Sequence, residues 1–389
     1  MKTKIIRITT VPESLGGLLK GQLHFMSQHY EIIGVSSSGN KLLEKVGKQE
    51  GIRVVPIEMT RKITPLKDLL ATWKLYKLFR KERPVIVHTH TPKAGTLGML
   101  AAYLAKVPYR LHTIAGLPLL EAKGNKRILL DMVEKLTYAC ATRVYPNSHG
   151  LKKIVLKNKY TTENRIKVIG NGSSNGINTS YFDPTLFTPE DKLSLRNSLG
   201  LQKKDFVYIF VGRLVKDKGL NELIQAFKQL CGEHANVKLL LVGPFENDLD
   251  PLMPQTRSFI SQCDQILALG WQDDVRPYFS ISNCLVFPSY REGFPNVVMQ
   301  AGAMGISSIV TDINGCNEII TTGENGIIIP KKDETALLKA MESVYHQEQN
   351  NDNHSYKYRE MIINRYDQLK VWNSILEEYR NLEKKCYAE

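Results

Sequence analysis

Short runs of β-branched and aliphatic residues alternate along this chain with longer stretches whose apolar positions recur at helical spacing. In the first half, KIIRIT, YEIIGVS, RVVPIEM, VIVHTH, YRLHTI, TRVYPNS and IKVIGNG have strand character, while PLKDLLATWKLYKLFRKERP and NKRILLDMVEKLTYACA have the helical pattern. In the second half, FVYIFVG, VKLLLVG, ILALG, NCLVFPS and SSIVTD repeat the scheme. Continuous apolar strands separated by helices imply parallel sheets covered on both faces. The pattern predicts an α/β chain of two doubly wound domains, residues 1–182 and 183–365. Their join lies near 181–205, a stretch with two prolines and no strand pattern before FVYIF. A last helical stretch, 366–389, follows the final unit and is expected to pack back on the first domain. Ligands of such folds sit outside the carboxyl ends of the strands. The cleft between two facing domains is therefore the expected site.

Bulk composition agrees with this picture. At 389 residues the chain exceeds one ordinary core, and 42% hydrophobic with 23% charged residues is a globular composition. No run approaches the roughly 18 apolar residues of a membrane-spanning helix. The start, MKTKIIRITTVPESLGG, interrupts its apolar residues too early for a signal peptide. Six cysteines without a CxxC pair or metal-ligand spacing suggest reduced thiols and a cytoplasmic protein.

Charge changes the picture more. The formal net charge is +13, but residues 1–185 carry 30 Lys and Arg against 12 Asp and Glu, and the remainder 22 against 27. The basic half points to an anionic partner, whether nucleic acid, acidic lipid or a phosphorylated substrate, or else to a solubility bias alone. Residues 61–83 interleave eight basic residues with Leu69, Leu70, Trp73, Tyr76 and Phe79. That is either a helix for an anionic bilayer surface or a core-facing helix with a charged outer side. Nucleic acid is not expected: no zinc spacing or RNA-binding signature accompanies the charge, and the second half is acidic.

Two segments are candidates for chemistry. In FVYIFVGRLVKDKGL a strand ends at Gly212, and Arg213 and Lys218 stand five residues apart just before a helix. Two cations there suit a diphosphate, or are simply solvated. In REGFPNVVMQ a carboxylate, Glu292, follows a buried strand and Pro295 fits a first helical turn. The amides around Gly293, Phe294 and Asn296 favour an anion through the helix dipole. Glu292 and, eight residues on, Gln300 are suited to accept or donate hydrogen bonds with hydroxyls. The competing reading is a helix cap followed by a mid-helix polar residue.

Taken together, GRxxxxKG and the later E-x7-Q segment resemble the retaining glycosyltransferases of the large family-4 class, especially bacterial enzymes of surface-polysaccharide assembly. The resemblance extends to ERPVIVHTHTPKAGTLGMLAAYLAKVP, LHTIAGLP, VIGNGSSNGIN, LVGP, ILALGWQDDV and SIVTDINGCNEII. It implies the GT-B fold, two Rossmann-like domains, and transfer from a nucleotide sugar, UDP before GDP, to a sugar or polyprenyl-diphosphate-linked sugar. Arg213 and Lys218 match the family's diphosphate-binding pair, and Glu292 its donor-sugar glutamate. Gln300 replaces the family's second, ribose-binding glutamate, so one amide group stands where two acceptor oxygens are usual. Gly16 and Gly17, in ESLGGLLKGQ, match the segment closing over the donor phosphates. His112 matches a histidine near the reacting sugar, Trp271 the nucleobase pocket, and Lys93 lies where an acceptor phosphate is expected. The family uses no Asp-x-Asp metal site, so neither metal nor cofactor is expected. The resemblance also implies a place at the inner face of the membrane, in peripheral contact with it. A nucleotide-sugar epimerase of the same fold, or a non-catalytic basic lipid- or nucleic-acid-binding protein, are the alternatives.

Overall fold

The computed structural model describes residues 2–60, 63–117, 119, 122–246, 250–349 and 355–386. Arg61 and Lys62 of the basic segment, and residues 387–389 of the last expected helix, lie outside them. The chain forms two compact units: residues 1–176 with 368–389, and residues 177–367.

In chain order, unit 1 runs β1 (Lys4–Ile8), α1 (Pro12–Leu18), α2 (Gln22–Ser27), β2 (Glu31–Ser36), α3 (Leu42–Glu50), β3 (Arg53–Pro56) and α4 (Pro65–Glu82). It continues with β4 (Ile86–Thr89), α5 (Pro92–Leu104), β5 (Tyr109–Ile114), α6 (Gly124–Cys140), β6 (Arg143–Pro146) and α7 (His149–Lys157). Its six strands are all parallel in the order β3-β2-β1-β4-β5-β6. Side chains alternate across the sheet, as the two-residue repeat of a strand requires. Ile6, Ile8, Ile33, Val35 and Val87 face the core built with α4, α5 and α6. Ile5, Ile32, Ile86 and Leu111 face the opposite core.

Unit 2 runs α8 (Pro189–Ser198), β7 (Phe206–Val211), α9 (Leu220–Glu233), β8 (Val237–Val242), α10 (Pro254–Gln262), β9 (Ile266–Gly270), α11 (Arg276–Ser280) and β10 (Cys284–Phe287). After these come α12 (Asn296–Ala303), β11 (Ser307–Thr311), α13 (Cys316–Ile319), β12 (Gly326–Ile329), α14 (Glu334–Gln349) and α15 (Ser355–Tyr366). Its sheet, β12-β11-β10-β7-β8-β9, is also parallel throughout and repeats the strand order of unit 1. The last helix, α16 (Gln368–Cys386), belongs to unit 1, where Val371, Ile375, Leu376, Tyr379 and Leu382 complete the second core.

The pattern misplaces some details. The unit boundary falls at 176/177, ahead of 182/183, because the Ile177 amide bonds the Tyr366 carbonyl and Phe182 is buried in the core of unit 2. The return to unit 1 falls at 367/368, after the expected 365/366, because Tyr366 is buried in the same unit 2 core. IKVIGNG forms no strand; only an isolated bridge joins Val144 to Ile166. Its glycines Gly170 and Gly172 take positive φ, which ends extended pairing. The short strand β12 has no counterpart among the expected strands. Among the described residues, no helix is long and apolar enough to cross a membrane.

Candidate functional site

The strand order of unit 2 reverses between β10 and β7, so the loops leaving these two strands border a crevice at the carboxyl edge. Residues 212–219 leave β7, and residues 288–295 leave β10. Gly219 joins them. Its φ is +72°, and a Cβ there would lie 2.1 Å from the Pro288 carbonyl oxygen, so the first loop is pressed against the second in a way only glycine permits.

That approach brings Lys218 to Glu292. The ammonium pairs with Glu292 Oε1, and both side chains are 17% exposed. Fully buried Ser289 places its hydroxyl 3.1 Å from the same oxygen. Glu292 Oε2 has no partner among the described residues, so one carboxylate oxygen is anchored and the other is offered. Lys218 also lies 5.6 Å from the Phe287 ring centre. Around this pair, Asp217 takes an ion pair from Arg291 at 2.9 Å, and its amide donates to Asp250 Oδ2 at 2.6 Å. Tyr290 donates to Glu222 at 2.5 Å; burial, then that bond, push its phenol pKa up.

The turn after Glu292 is held from behind. A Cβ on Gly315, at φ +76°, would meet the Gly293 carbonyl oxygen and the Phe294 Cα at 2.8 Å. The Phe294 ring is buried edge-on against Tyr366, 5.3 Å between centres, so this residue presents only its amide. Pro295 sits at the N-cap with φ −77° and ψ 112°, just outside the helix and not within its first turn as expected. Asn296 therefore opens α12, where the first amides lack intrahelical acceptors. Gln300 lies half-buried one turn further, and its side-chain amide has no partner among the described residues.

Arg213, at the end of β7, is half exposed and pairs with Glu246. Trp271 follows β9 with 71% of its surface exposed, and its indole N–H donates to Asp273 at 3.1 Å. The neighbouring Asp274 is bound by Arg276 at 2.6 Å.

Unit 1 holds four of the expected residues, and its packing sets where each lies. Gly16 and Gly17 lie in helix α1, not in a loop. A Cβ on Gly16 would strike Val46 of α3 at 2.8 Å, so the small residue serves helix packing; the helical pattern was hidden by the glycine pair. Lys93 stands in the first turn of α5 and is paired with Asp68 at 2.5 Å. His112 is in the middle of β5. Its ring is buried under Gly95 of α5, where a Cβ would lie 2.4 Å from Cε1, with Nδ1 2.8 Å from Thr89 Oγ1. Burial holds its pKa down at about 4, so the imidazole is neutral and enclosed.

The pattern also missed a buried polar network at the switch between β1 and β4. Arg7, wholly buried with no carboxylate partner among the described residues, donates from Nε to His90 Nε2 at 2.9 Å and from Nη2 to Gln22 at 2.5 Å. Gln22 in turn donates to Asn175 Oδ1 at 3.0 Å, which also receives the Trp372 indole N–H at 2.7 Å. Because the guanidinium only donates, His90 must accept through Nε2, and neutral His90 carries its proton on Nδ1. Burial lowers the pKa of both His88 and His90. The available signal was an arginine within the apolar run KIIRIT and two histidines within VIVHTH.

An anchored carboxylate beside a lysine, on paired loops at the switch point of a doubly wound sheet, has the chemistry to suit a phosphorylated, hydroxyl-bearing ligand. The family models agree with that class: residues 191–364 match glycosyl transferases group 1, and residues 38–172 a glycosyl transferase 4-like domain. The chain belongs to the family-4 glycosyltransferases of GT-B fold. Among its relatives, the capsular polysaccharide biosynthesis glycosyltransferase CapM of Staphylococcus aureus is 33% identical over 97% of this chain and 96% of its own length. The UDP-Gal:α-D-GlcNAc-diphosphoundecaprenol α-1,3-galactosyltransferase of Escherichia coli is 30% identical over 73% of this chain and 72% of its own. Among solved structures, Anabaena HepE in complex with UDP and glucose superposes with a TM-score of 0.81 at 18% identity, covering 97% of this chain and all of that one.

Proposed function

We propose that this glycosyltransferase moves a hexose or N-acetylhexosamine from a nucleotide sugar, UDP before other bases, to a sugar or polyprenyl-diphosphate-linked sugar in polysaccharide assembly. The observation that carries this reading is Glu292, with Oε1 held by Lys218 and Ser289 and Oε2 without a partner among the described residues. An anchored carboxylate with one open oxygen suits the hydroxyls of a donor sugar. Arg213, Lys218 and the amides at the start of α12 take the diphosphate, and Gln300 the ribose hydroxyls. The names and ligand of the relatives support this substrate class: a UDP-galactose donor and a GlcNAc-diphosphoundecaprenol acceptor in one, UDP and glucose in another.

Transfer proceeds with retention. The acceptor hydroxyl attacks the anomeric carbon on the face from which the nucleoside diphosphate leaves, the C–O bond to phosphate breaks, and the departing phosphate oxygen takes the acceptor proton. Glu292, tied to a lysine, orients the sugar and does not attack. Cationic side chains and oriented amides carry the charge developing on the leaving group, so the reaction runs without a metal. Unit 1 serves the acceptor, at the cytoplasmic face of the membrane.

A thermal-shift screen against UDP, GDP, ADP and their sugar derivatives tests the donor site. A shift with one nucleotide series, lost in Arg213→Ala, is expected; no shift with any of them overturns the reading. Incubation with donor, with and without lipid-linked acceptor and in EDTA, then separates transfer from epimerisation, and NMR of the product reads the anomer.

A further inference from the structure

The interior of unit 1 carries a charge that none of the described residues around it balances. Arg7 shares the side of β1 that Ile5 faces and is wholly buried. Its hydrogen-bond partners, His90 and Gln22, are neutral. Arg7 Cζ stands 5.9 Å from the centre of the Tyr379 ring, and burial pushes that phenol pKa up, so it supplies no anion either. His88 stacks on His90 with 4.2 Å between ring centres. Burial first, then neighbouring positive groups that include Arg7, hold both imidazoles neutral. The carboxylates nearest this core are committed elsewhere. Glu50 takes the Gly21 and His24 amides at 2.8 and 3.0 Å. Glu378 takes the Tyr145 hydroxyl at 2.9 Å and Lys167 at 2.8 Å, and Glu383 takes Thr3 and Tyr30.

Donors are left over at the same place. Among the described residues, Arg7 Nη1 and His90 Nδ1 are buried without a partner. Both donate, the second because Nε2 already accepts from Arg7. Ser174 Oγ, also buried and unpartnered, joins the network through Gln22, whose Nε2 donates to the Ser174 carbonyl at 3.0 Å. The leftover acceptor of that loop, Asn147 Oδ1, bears no charge; its backbone carbonyl takes the Ser173 amide at 2.8 Å. A water molecule could accept from these donors and still leave the cation unbalanced. An anion answers both deficits. Arg7 and Gln22 are wholly buried and His90 nearly so, which keeps a nucleotide or sugar phosphate from direct contact. A spherical ion also accepts from any direction, as N–H groups on two separate planar side chains require.

We propose that Arg7 and His90 hold one small inorganic anion, a halide, as a counter-ion inside unit 1. The ion neutralises the guanidinium, which is the hub of the network. Through it, β1 is tied to the end of β4 by His90 and to α2 by Gln22, and onward by Asn175 to Trp372 of α16. The anion thereby fixes the last helix on the unit it completes.

The test is calorimetric unfolding of the full-length protein in sodium gluconate, chloride and bromide at one ionic strength. Chloride and bromide should raise the melting temperature by about 3 °C or more over gluconate, and the rise should saturate, since a ligand bound only by the folded chain stabilises it by mass action. Arg7→Met should abolish the difference between the salts. Should that variant fail to fold, the unaltered protein decides: crystals soaked in bromide are expected to show an anomalous peak within hydrogen-bonding distance of Arg7 Nη1. Equal melting temperatures in the three salts, a halide effect kept in Arg7→Met, or bromide found only at surface lysines would each overturn the proposal. So would stabilisation by phosphate in place of halide that is lost in Arg7→Met, because it assigns the charge to an oxyanion. None of these readouts involves a nucleotide, so they stand apart from the donor reading.

Discussion

At the scale of single residues, Glu292 and Gly219 serve the site in different ways, which separate substitutions resolve. Glu292→Ala removes the open acceptor Oε2, and transfer should fall by at least about 100-fold, the size of losing one preorganised polar contact to a transition state. The melting temperature should also fall, because the largely buried Lys218 loses its partner, so turnover is compared well below it; normal turnover would overturn the site. Gly219→Ala works differently, through the backbone. Its Cβ has no room at 2.1 Å from the Pro288 carbonyl and its φ of +72° disfavours alanine. The two loops must separate, at a cost of about 2 kcal/mol or more in stability. UDP affinity should drop along with the denaturation midpoint, whereas Glu292→Ala should lose far more transfer than UDP affinity.

At the scale of elements, the sheet of unit 1 buries His88, His90 and His112 as neutral imidazoles. An unfolded chain protonates these rings near pH 6.5, while burial holds the folded His112 at about 4. A folded pKa below the unfolded one means that the unfolded chain binds more protons between these values. Its stabilising contribution is full above about pH 6.5 and is lost as pH falls through about 4. His112 alone contributes about 3 kcal/mol across that window. The urea midpoint should decline steeply from pH 7 to pH 4.5, and His112→Asn should start lower, having lost ring packing, but decline less. An equal slope in the variant would mean that His112 is not the titrating group.

At the scale of the whole molecule, the last helix is part of the first unit's core. Tyr379 of α16 is fully buried, and its hydroxyl lies 2.5 Å from His88 Nδ1. Tyr379→Ala opens a cavity and should cost about 4 kcal/mol. Tyr379→Phe keeps the volume but leaves the His88 nitrogen unpaired, about 1–2 kcal/mol. Denaturant titrations of the two variants check the ratio; equal losses would show that packing contributes nothing beyond the hydrogen bond. Ending the chain after Asp367 strips Val371, Ile375, Leu376, Tyr379 and Leu382 from that core. The shortened protein should aggregate or lose one melting transition.

The chain's local pattern was enough for most of the strand and helix succession, though not for β12 or the unpaired IKVIGNG, because parallel strands buried on both faces are apolar throughout and stand out against amphipathic helices. It also located Arg213, Lys218 and Glu292, since charged residues directly after such strands lie at the edge where ligands bind. What it left undetermined depended on contacts distant in sequence. The close packing of Gly16 comes from Val46 of α3, and the partner of Lys93 is Asp68 of α4. Nothing in YRLHTI announces that Gly95 will close over the His112 ring. The buried Arg7 network was invisible for the same reason: its partners, Gln22, His90, Asn175 and Trp372, are scattered over most of the chain's length. Periodicity records only which side of an element a residue occupies. Which other element arrives at that side is settled when the cores close, and there the pairing of Lys218 with Glu292 was decided.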